Sequence, residues 1–140
     1  MPVHADTITL RTRGNTEVLD LTESVSDIVR ESGIATGQLT LMVTGSTAAI
    51  TTTEFEPGLV ERDLAVALEG IAPEDGYYLH EETWGDDNGH SHVRASLIGP
   101  SLALPVVEGR IPLGTWQQVV LIDMDTRTRS RTIVATVVGE

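Results

Sequence analysis

The residues best suited to chemistry lie together in Asp86-Asp87-Asn88-Gly89-His90-Ser91-His92, with His80 a short distance upstream. Three of the four histidines in the 140-residue chain fall within this stretch of 13 positions, among carboxylates and an amide. Imidazole is the commonest protein metal ligand and the usual proton carrier near neutral pH. His90 and His92 are two apart. On a helix that spacing would turn the side chains about 200° apart, whereas in extended or looped backbone both point the same way. Asn88-Gly89 favours a loop, so the two imidazoles are expected to converge on one ion, with His80 joining across the loop. A three-histidine set with an open position is a catalytic type of zinc site, and it suits other transition metals as well. The expected cofactor is therefore a divalent metal ion, zinc being one candidate, held by His80, His90 and His92. Asp86 and Asp87 would bind directly or orient the rings as acceptors. Taken singly, each histidine reads better as an incidental residue of a solvated loop; the pair together with His80 marks a site.

Other residues can serve such a site. Ser46-Thr47 lie between Gly45 and Ala48 just after a strand, where hydroxyls and backbone amides suit an anion such as phosphate. A simple turn with local hydrogen bonds explains them equally well. Glu54 is a candidate general base, although an isolated glutamate at that point also serves the start of a helix. Arg94 is a cation for a substrate phosphate or carboxylate, or else pairs with Asp86, Asp87 or Glu81. In Gly114-Thr115-Trp116-Gln117-Gln118, strand alternation puts Trp116 and Gln118 on one face and Gln117 on the other. The Gln117 amide can hold a ligand or a histidine, or simply close the wet end of an amphipathic strand. The chain has no GxxxxGK, GxGxxG, GxSxG or HExxH motif, so kinase, dehydrogenase, α/β-hydrolase and zinc-helix protease assignments lack support.

The elements that must position these residues follow from periodicity. Thr7–Thr12 alternates polar and apolar as a strand, and a second strand follows near Thr16–Leu21. Ser24 and Asp27 resemble a capping box for a helix carrying Val25, Ile28 and Val29 and ending at Gly33. Leu39–Thr44 and Ala49–Thr53 read as strands. A second helix starts at Pro57-Gly58 with the stripe Leu59, Val60, Leu64, Leu68 and Ile71. Residues 72–88 read as a long loop, followed by a short helical turn at His92–Leu97. Strands are expected at Leu102–Val107, Ile111–Leu113, Trp116–Met124 and Thr132–Val138, joined by tight turns. The sum is an α+β fold: a single compact domain over residues 1–140, with a largely antiparallel β-sheet and two main helices.

Composition bounds the function. Cysteine is absent, which excludes thiol catalysis and thiolate metal sites. All nine basic residues are arginine, against 21 acidic ones, for a net charge of −12. That field repels nucleic acid and anionic membranes, so neither is an expected partner. It resembles the surface of a salt-adapted protein, and an arginine-favouring GC-rich genome is the other explanation. No apolar run approaches the ~18 residues of a membrane span, and the first residues lack signal-peptide character. A soluble cytoplasmic protein is expected.

Asn88-Gly89-His90-Ser91-His92-Val93-Arg94-Ala95-Ser96-Leu97-Ile98-Gly99-Pro100-Ser101 closely resembles a signature of the small YjbQ-like proteins. Gly109-Arg110-Ile111-Pro112-Leu113-Gly114-Thr115-Trp116-Gln117-Gln118 is similar to their second signature. Ser46-Thr47-Ala48-Ala49-Ile50, Glu54, Pro57-Gly58, Asp63-Leu64 and Tyr78-Leu79-His80 extend the likeness over almost the whole chain. The resemblance implies a compact α+β domain that assembles as a homotrimer. It also implies a metal or anion site at His80, His90 and His92, with Glu54 and Asn88 nearby. The activity it implies is that of a secondary thiamine-phosphate synthase, which joins hydroxymethylpyrimidine diphosphate to a thiazole phosphate. One departure stands out: family members usually carry proline and histidine just before the Ser/Thr-Thr-Ala motif, where this chain has Thr44 and Gly45.

Two functions are thus expected. The first is a metal-dependent enzyme acting on a phosphorylated small molecule, with Glu54, His80, His90 and His92 catalytic and Ser46, Thr47, Asn88, Arg94 and Gln117 binding substrate. The other is a non-catalytic homotrimer that binds a metal or a small anion.

Overall fold

The computed structural model describes residues Met1–Glu140. The chain runs β1 (Val3–Thr12), β2 (Glu17–Asp20), α1 (Thr22–Ser32), β3 (Thr36–Val43) and β4 (Ala48–Thr53). A π-helical turn (Leu59–Asp63) leads into α2 (Leu64–Ile71), followed by α3 (Leu79–Trp84) and α4 (Gly89–Ile98). β5 (Ser101–Val107), β6 (Gln118–Asp123) and β7 (Arg129–Gly139) complete it. All strand pairings are antiparallel, in one sheet ordered β1-β7-β3-β5 and another ordered β2-β6-β4.

Alternation builds the first sheet. β3 buries Leu39, Leu41 and Val43 while Gln38, Thr40 and Met42 face out, and β7 buries Ile133, Ala135 and Val137 in the same way. β6 behaves differently because both of its faces are covered. Val119 and Leu121 join the core between the two sheets, which α1 completes with Val25, Ile28 and Val29. Val120, Ile122 and Met124 belong to a second cluster with Leu68 of α2 and Ala95 of α4. The fold is three layers deep: four strands, three strands, then helices. Burial of each large aliphatic side chain in these layers contributes about 1.5–3 kcal/mol.

The α+β class and the antiparallel pairing agree with expectation, and five local readings do not. α1 begins at Thr22 rather than at a Ser24–Asp27 box, because Asp20 Oδ1 accepts from both the Thr22 N–H (2.9 Å) and the Thr22 hydroxyl (2.6 Å). Gly33 ends it in the left-handed region, as expected. Ile111–Leu113 forms no strand: Pro112 has no N–H to give a ladder, and the Leu113 N–H turns back to the Ile111 carbonyl at 2.8 Å. Trp116 lies outside β6, in a turn closed by Gln117 N–H to Gly114 O at 3.0 Å. The expected loop 72–88 contains α3, a polar helix with no buried residue and therefore no apolar stripe to announce it. α4 starts at Gly89, three residues before the anticipated helical turn. That last difference decides the geometry of the site.

Candidate functional site on the two faces of α4

α3 and α4 meet at their polar ends. Gly85 stops α3 in the left-handed conformation, its N–H returning to the Glu81 carbonyl at 2.7 Å, and Asp86-Asp87-Asn88 carry the chain directly into α4. Gly89 allows the close approach: a Cβ there would lie 2.6 Å from Tyr78 Cβ and 3.0 Å from Glu81 Oε1. The Glu81 carboxylate accepts the Gly89 N–H at 3.1 Å. It satisfies one of the orphan donors at the start of α4, where its charge is favoured.

This junction brings the rings of His80 and His92 side by side, with centroids 4.4 Å apart and planes tilted by 60°. His80 Nε2 lies 3.3 Å from Asp86 Oδ1. The Asn88 amide is satisfied on both sides when its NH2 stands 3.2 Å from each Asp86 oxygen and 3.1 Å from His80 Nε2. Neutral His80 thus accepts from Asn88, and protonated His80 donates to Asp86. The surroundings provide a partner for either state, which is what a proton carrier requires. Asp87 has another role, accepting the Thr126 hydroxyl at 2.8 Å.

His90 does not join them. Residues two apart on a helix diverge by about 200°, so the helical start at Gly89 sends His90 to the opposite face. There it is 2% exposed, and its Nδ1 is buried without a hydrogen-bond partner. No three His, Asp or Glu side chains are grouped to hold a metal ion. The expected three-histidine centre is therefore not formed within one chain: a loop was needed to bring the rings together, and the backbone is helical. The donors present do not fit that centre.

Arg94 follows His90 by one helical turn and shares its face. Its guanidinium donates to the Ala72 carbonyl (2.9 Å), Glu69 Oε2 (2.6 Å) and the Thr16 hydroxyl (3.4 Å). It pairs with none of Asp86, Asp87 and Glu81. Ser96 lies one turn beyond His92 on the other face, and Ser46 approaches it there. Gly45, Ser46, Ala95, Ser96 and Pro100 border a hollow of about 230 Å³.

The remaining expected site residues are committed elsewhere. The Thr47 hydroxyl donates to Asp125 Oδ2 (2.8 Å) and accepts from Arg131 Nη2 (2.7 Å) within a buried network. In the same network Arg131 grips Asp123 with two bonds of 2.6 and 2.9 Å. Burial raises the Asp125 pKa, but the Thr47 hydroxyl and the Arg129 guanidinium outweigh it, so its carboxyl is held below the ordinary carboxylate value. Gln117 ties the turn at Gly114 to Thr52 of β4, at 3.1 and 3.0 Å. Glu54 is exposed, and no hydrogen bond or ion pair links it to the histidines. The helix-start role belongs to Glu56, whose two oxygens accept the N–H groups of Gly58 (2.8 Å) and Leu59 (2.9 Å).

Sequence reasoning named Glu81 only as a partner for Arg94, and it missed Glu69 and the Asp123–Arg131 pair. The last had a visible signal: acidic residues at 123 and 125 and arginines at 127, 129 and 131 alternate with strand period. Gly45 also acquires a meaning. A Cβ on it would meet Arg131 Nη1 at 2.6 Å, so an arginine held in the buried network points into the space of the missing side chain.

Residues 6–140 match the family described as UPF0047 protein YjbQ-like. A UPF0047 protein of Methanothermobacter thermautotrophicus is 38% identical over 140 residues, covering 100% of this chain and 95% of the relative. The UPF0047 protein YjbQ of Escherichia coli O157:H7 is 33% identical over 134 residues, covering 96% and 95%. A solved YbjQ-like protein of unknown function from Sulfolobus solfataricus P2 superposes with a TM-score of 0.92 at 35% identity, covering 99% of this chain and 98% of that one. A hypothetical protein from Aeropyrum pernix K1 follows at 0.89 and 34%, covering 97% and 98%. Sequence and fold agree over the full length, and this chain belongs to the YjbQ-like UPF0047 family.

Proposed function

We propose that this chain is an enzyme acting on a phosphorylated small molecule at the His92 face of α4, with His80 and His92 as its proton-handling pair. The observation that carries the reading is the pair itself: two imidazoles 4.4 Å apart, one of them flanked by a carboxylate and an amide. Two protonated imidazoles at that distance repel each other, and a phosphate or diphosphate seated against them removes the repulsion. Ser46 borders the hollow beyond His92 and would donate to a remaining oxygen, while the Ser96 hydroxyl beside it already donates to the His92 carbonyl at 2.7 Å.

Thiamine-phosphate synthesis, the activity implied by the signatures, fits this scheme. The thiazole ring nitrogen forms a bond to the pyrimidine methylene carbon. The carbon–oxygen bond to diphosphate breaks with its electron pair going to the diphosphate, whose charge a protonated imidazole stabilises as it leaves. No step here runs through a metal, because the chain's own donors do not make the three-histidine centre.

The test is an assay of purified protein with both precursors, with and without added divalent ion. Loss of turnover in a His80→Ala, His92→Ala double variant, with turnover retained in His90→Ala, is the expected result. Unchanged turnover in the double variant overturns the reading.

A second reading, a non-catalytic homotrimer that binds an anion, is favoured by Gly45 standing where family members usually carry histidine. Tight binding of diphosphate with no turnover of any phosphorylated substrate would select it. Sedimentation tests the trimer that both readings share.

A further inference from the structure

We propose that Arg131 and the turn Gly45-Ser46-Thr47 form a seat for a phosphoryl group, the anionic end of the substrate. The proposal rests on the reading above for what that substrate is, and on the geometry of Arg131 for the seat itself.

Arg131 is 5% exposed, and two of its three nitrogens are spent. Nε donates to Asp123 Oδ2, and Nη2 donates to Asp123 Oδ1 and to the Thr47 hydroxyl. Nη1 makes no hydrogen bond. It is not sealed inside the protein either: the polar side-chain atoms cut off from solvent without a partner are His4 Nε2 and His90 Nδ1. A guanidinium held this firmly, with its last nitrogen open, is in position before any ligand arrives.

Gly45 gives the direction in which Nη1 points. A Cβ on Gly45 would lie 2.6 Å from Nη1, and apart from the neighbours Thr44 and Ser46 only the Arg131 guanidinium comes within 4 Å of that point. The glycine thus leaves a gap with a cation at its back. The turn around the gap offers more donors. The N–H groups of Gly45, Ser46 and Thr47 make no backbone hydrogen bond, and successive free N–H groups in a turn suit an anion. Ser46 adds an exposed hydroxyl.

The nearby acceptors are already satisfied. Asp123 is paired with Arg131 at 2.6 Å and Asp125 with Arg129 at 2.9 Å. Gly45 and Ser46 also border the hollow of about 230 Å³, which has no carboxylate in its lining. On a chain of net charge −12, an anion here meets donors and no open carboxylate. Phosphoryl oxygens accept from a guanidinium and from backbone N–H groups alike.

The test is an NMR titration of the full chain with inorganic phosphate, resolving backbone amides and arginine side chains, against potassium chloride at matched ionic strength. Phosphate is expected to shift the Arg131 side chain and the amides of Gly45, Ser46 and Thr47 saturably, and chloride is not. Gly45→Ala, whose methyl would cover Nη1, should weaken binding about tenfold, as loss of one charge-assisted hydrogen bond does. Arg131→Lys, which has a single nitrogen for Asp123 and none left over, should do the same; if it fails to fold, Gly45→Ala decides. Equal shifts with chloride, no saturable shift, or unchanged affinity in Gly45→Ala overturns the proposal. The shifts should persist in the His80→Ala, His92→Ala variant, and their loss there would overturn the seat by placing phosphate on the imidazoles. Unchanged turnover in that variant, with the shifts intact, sinks the catalytic reading alone.

Discussion

Gly89 packs directly against Tyr78, so closely that a methyl group in place of its hydrogen would lie 2.6 Å from Tyr78 Cβ. This contact seats α4 on α3 and sets the separation of His80 and His92. Gly89→Ala should force the helices apart, costing about 1–3 kcal/mol of stability as overpacking does. The melting temperature checks the cost, and cross-relaxation between the two imidazoles checks the geometry. Ring contacts as strong as in the parent protein would contradict the role given to this glycine.

Arg131 and Asp123 form a doubly bonded ion pair, 5% and 0% exposed. Removing one partner leaves the other charge buried alone, and Arg131→Met should destabilise the fold by about 3–5 kcal/mol. Chemical denaturation measures this. A loss below about 1 kcal/mol would show that water or another residue takes over the charge of Asp123.

The depressed pKa of Asp125 makes stability depend on pH in acid. Its ionised form is favoured by folding, so the unfolded chain binds the proton more readily and the contribution is fully present above the ordinary carboxylate pKa of about 4. As pH falls through that value towards the lower folded one, the contribution is lost. Asp125→Asn should flatten the stability curve below about pH 4 and leave its slope unchanged near neutrality.

Gly45→His should cost stability rather than simply add a histidine to the site. The new side chain would begin 2.6 Å from Arg131 Nη1, in a guanidinium already bonded to Asp123 and Thr47. The variant is expected to lose about 1–3 kcal/mol of stability. A crystal structure would show Arg131 displaced. A stable variant with Arg131 unmoved would refute this.

Self-repulsion from a net charge of −12 should weaken as salt screens it. Urea unfolding midpoints are expected to rise between low and molar potassium chloride. No rise would remove the case for salt adaptation.

Much of the fold was legible because burial leaves a period in the chain. The alternation in β1, β3, β5 and β7, the stripe of α1 and its closing glycine, and the antiparallel α+β class all came from neighbours along the sequence. α3 buries nothing and had no period to read. The polar segment Asp86–His92 stands out by residue type, and the structure sets His80 beside His92 of that segment. The backbone under His90 was not legible. Asn88-Gly89 suits a loop or the start of a helix, and only the seat offered by Tyr78 and Glu81 chooses the helix. That choice, made by residues 8 to 11 positions away, separates His90 from His92, gives Arg94 to Glu69, and turns one expected metal centre into two different faces.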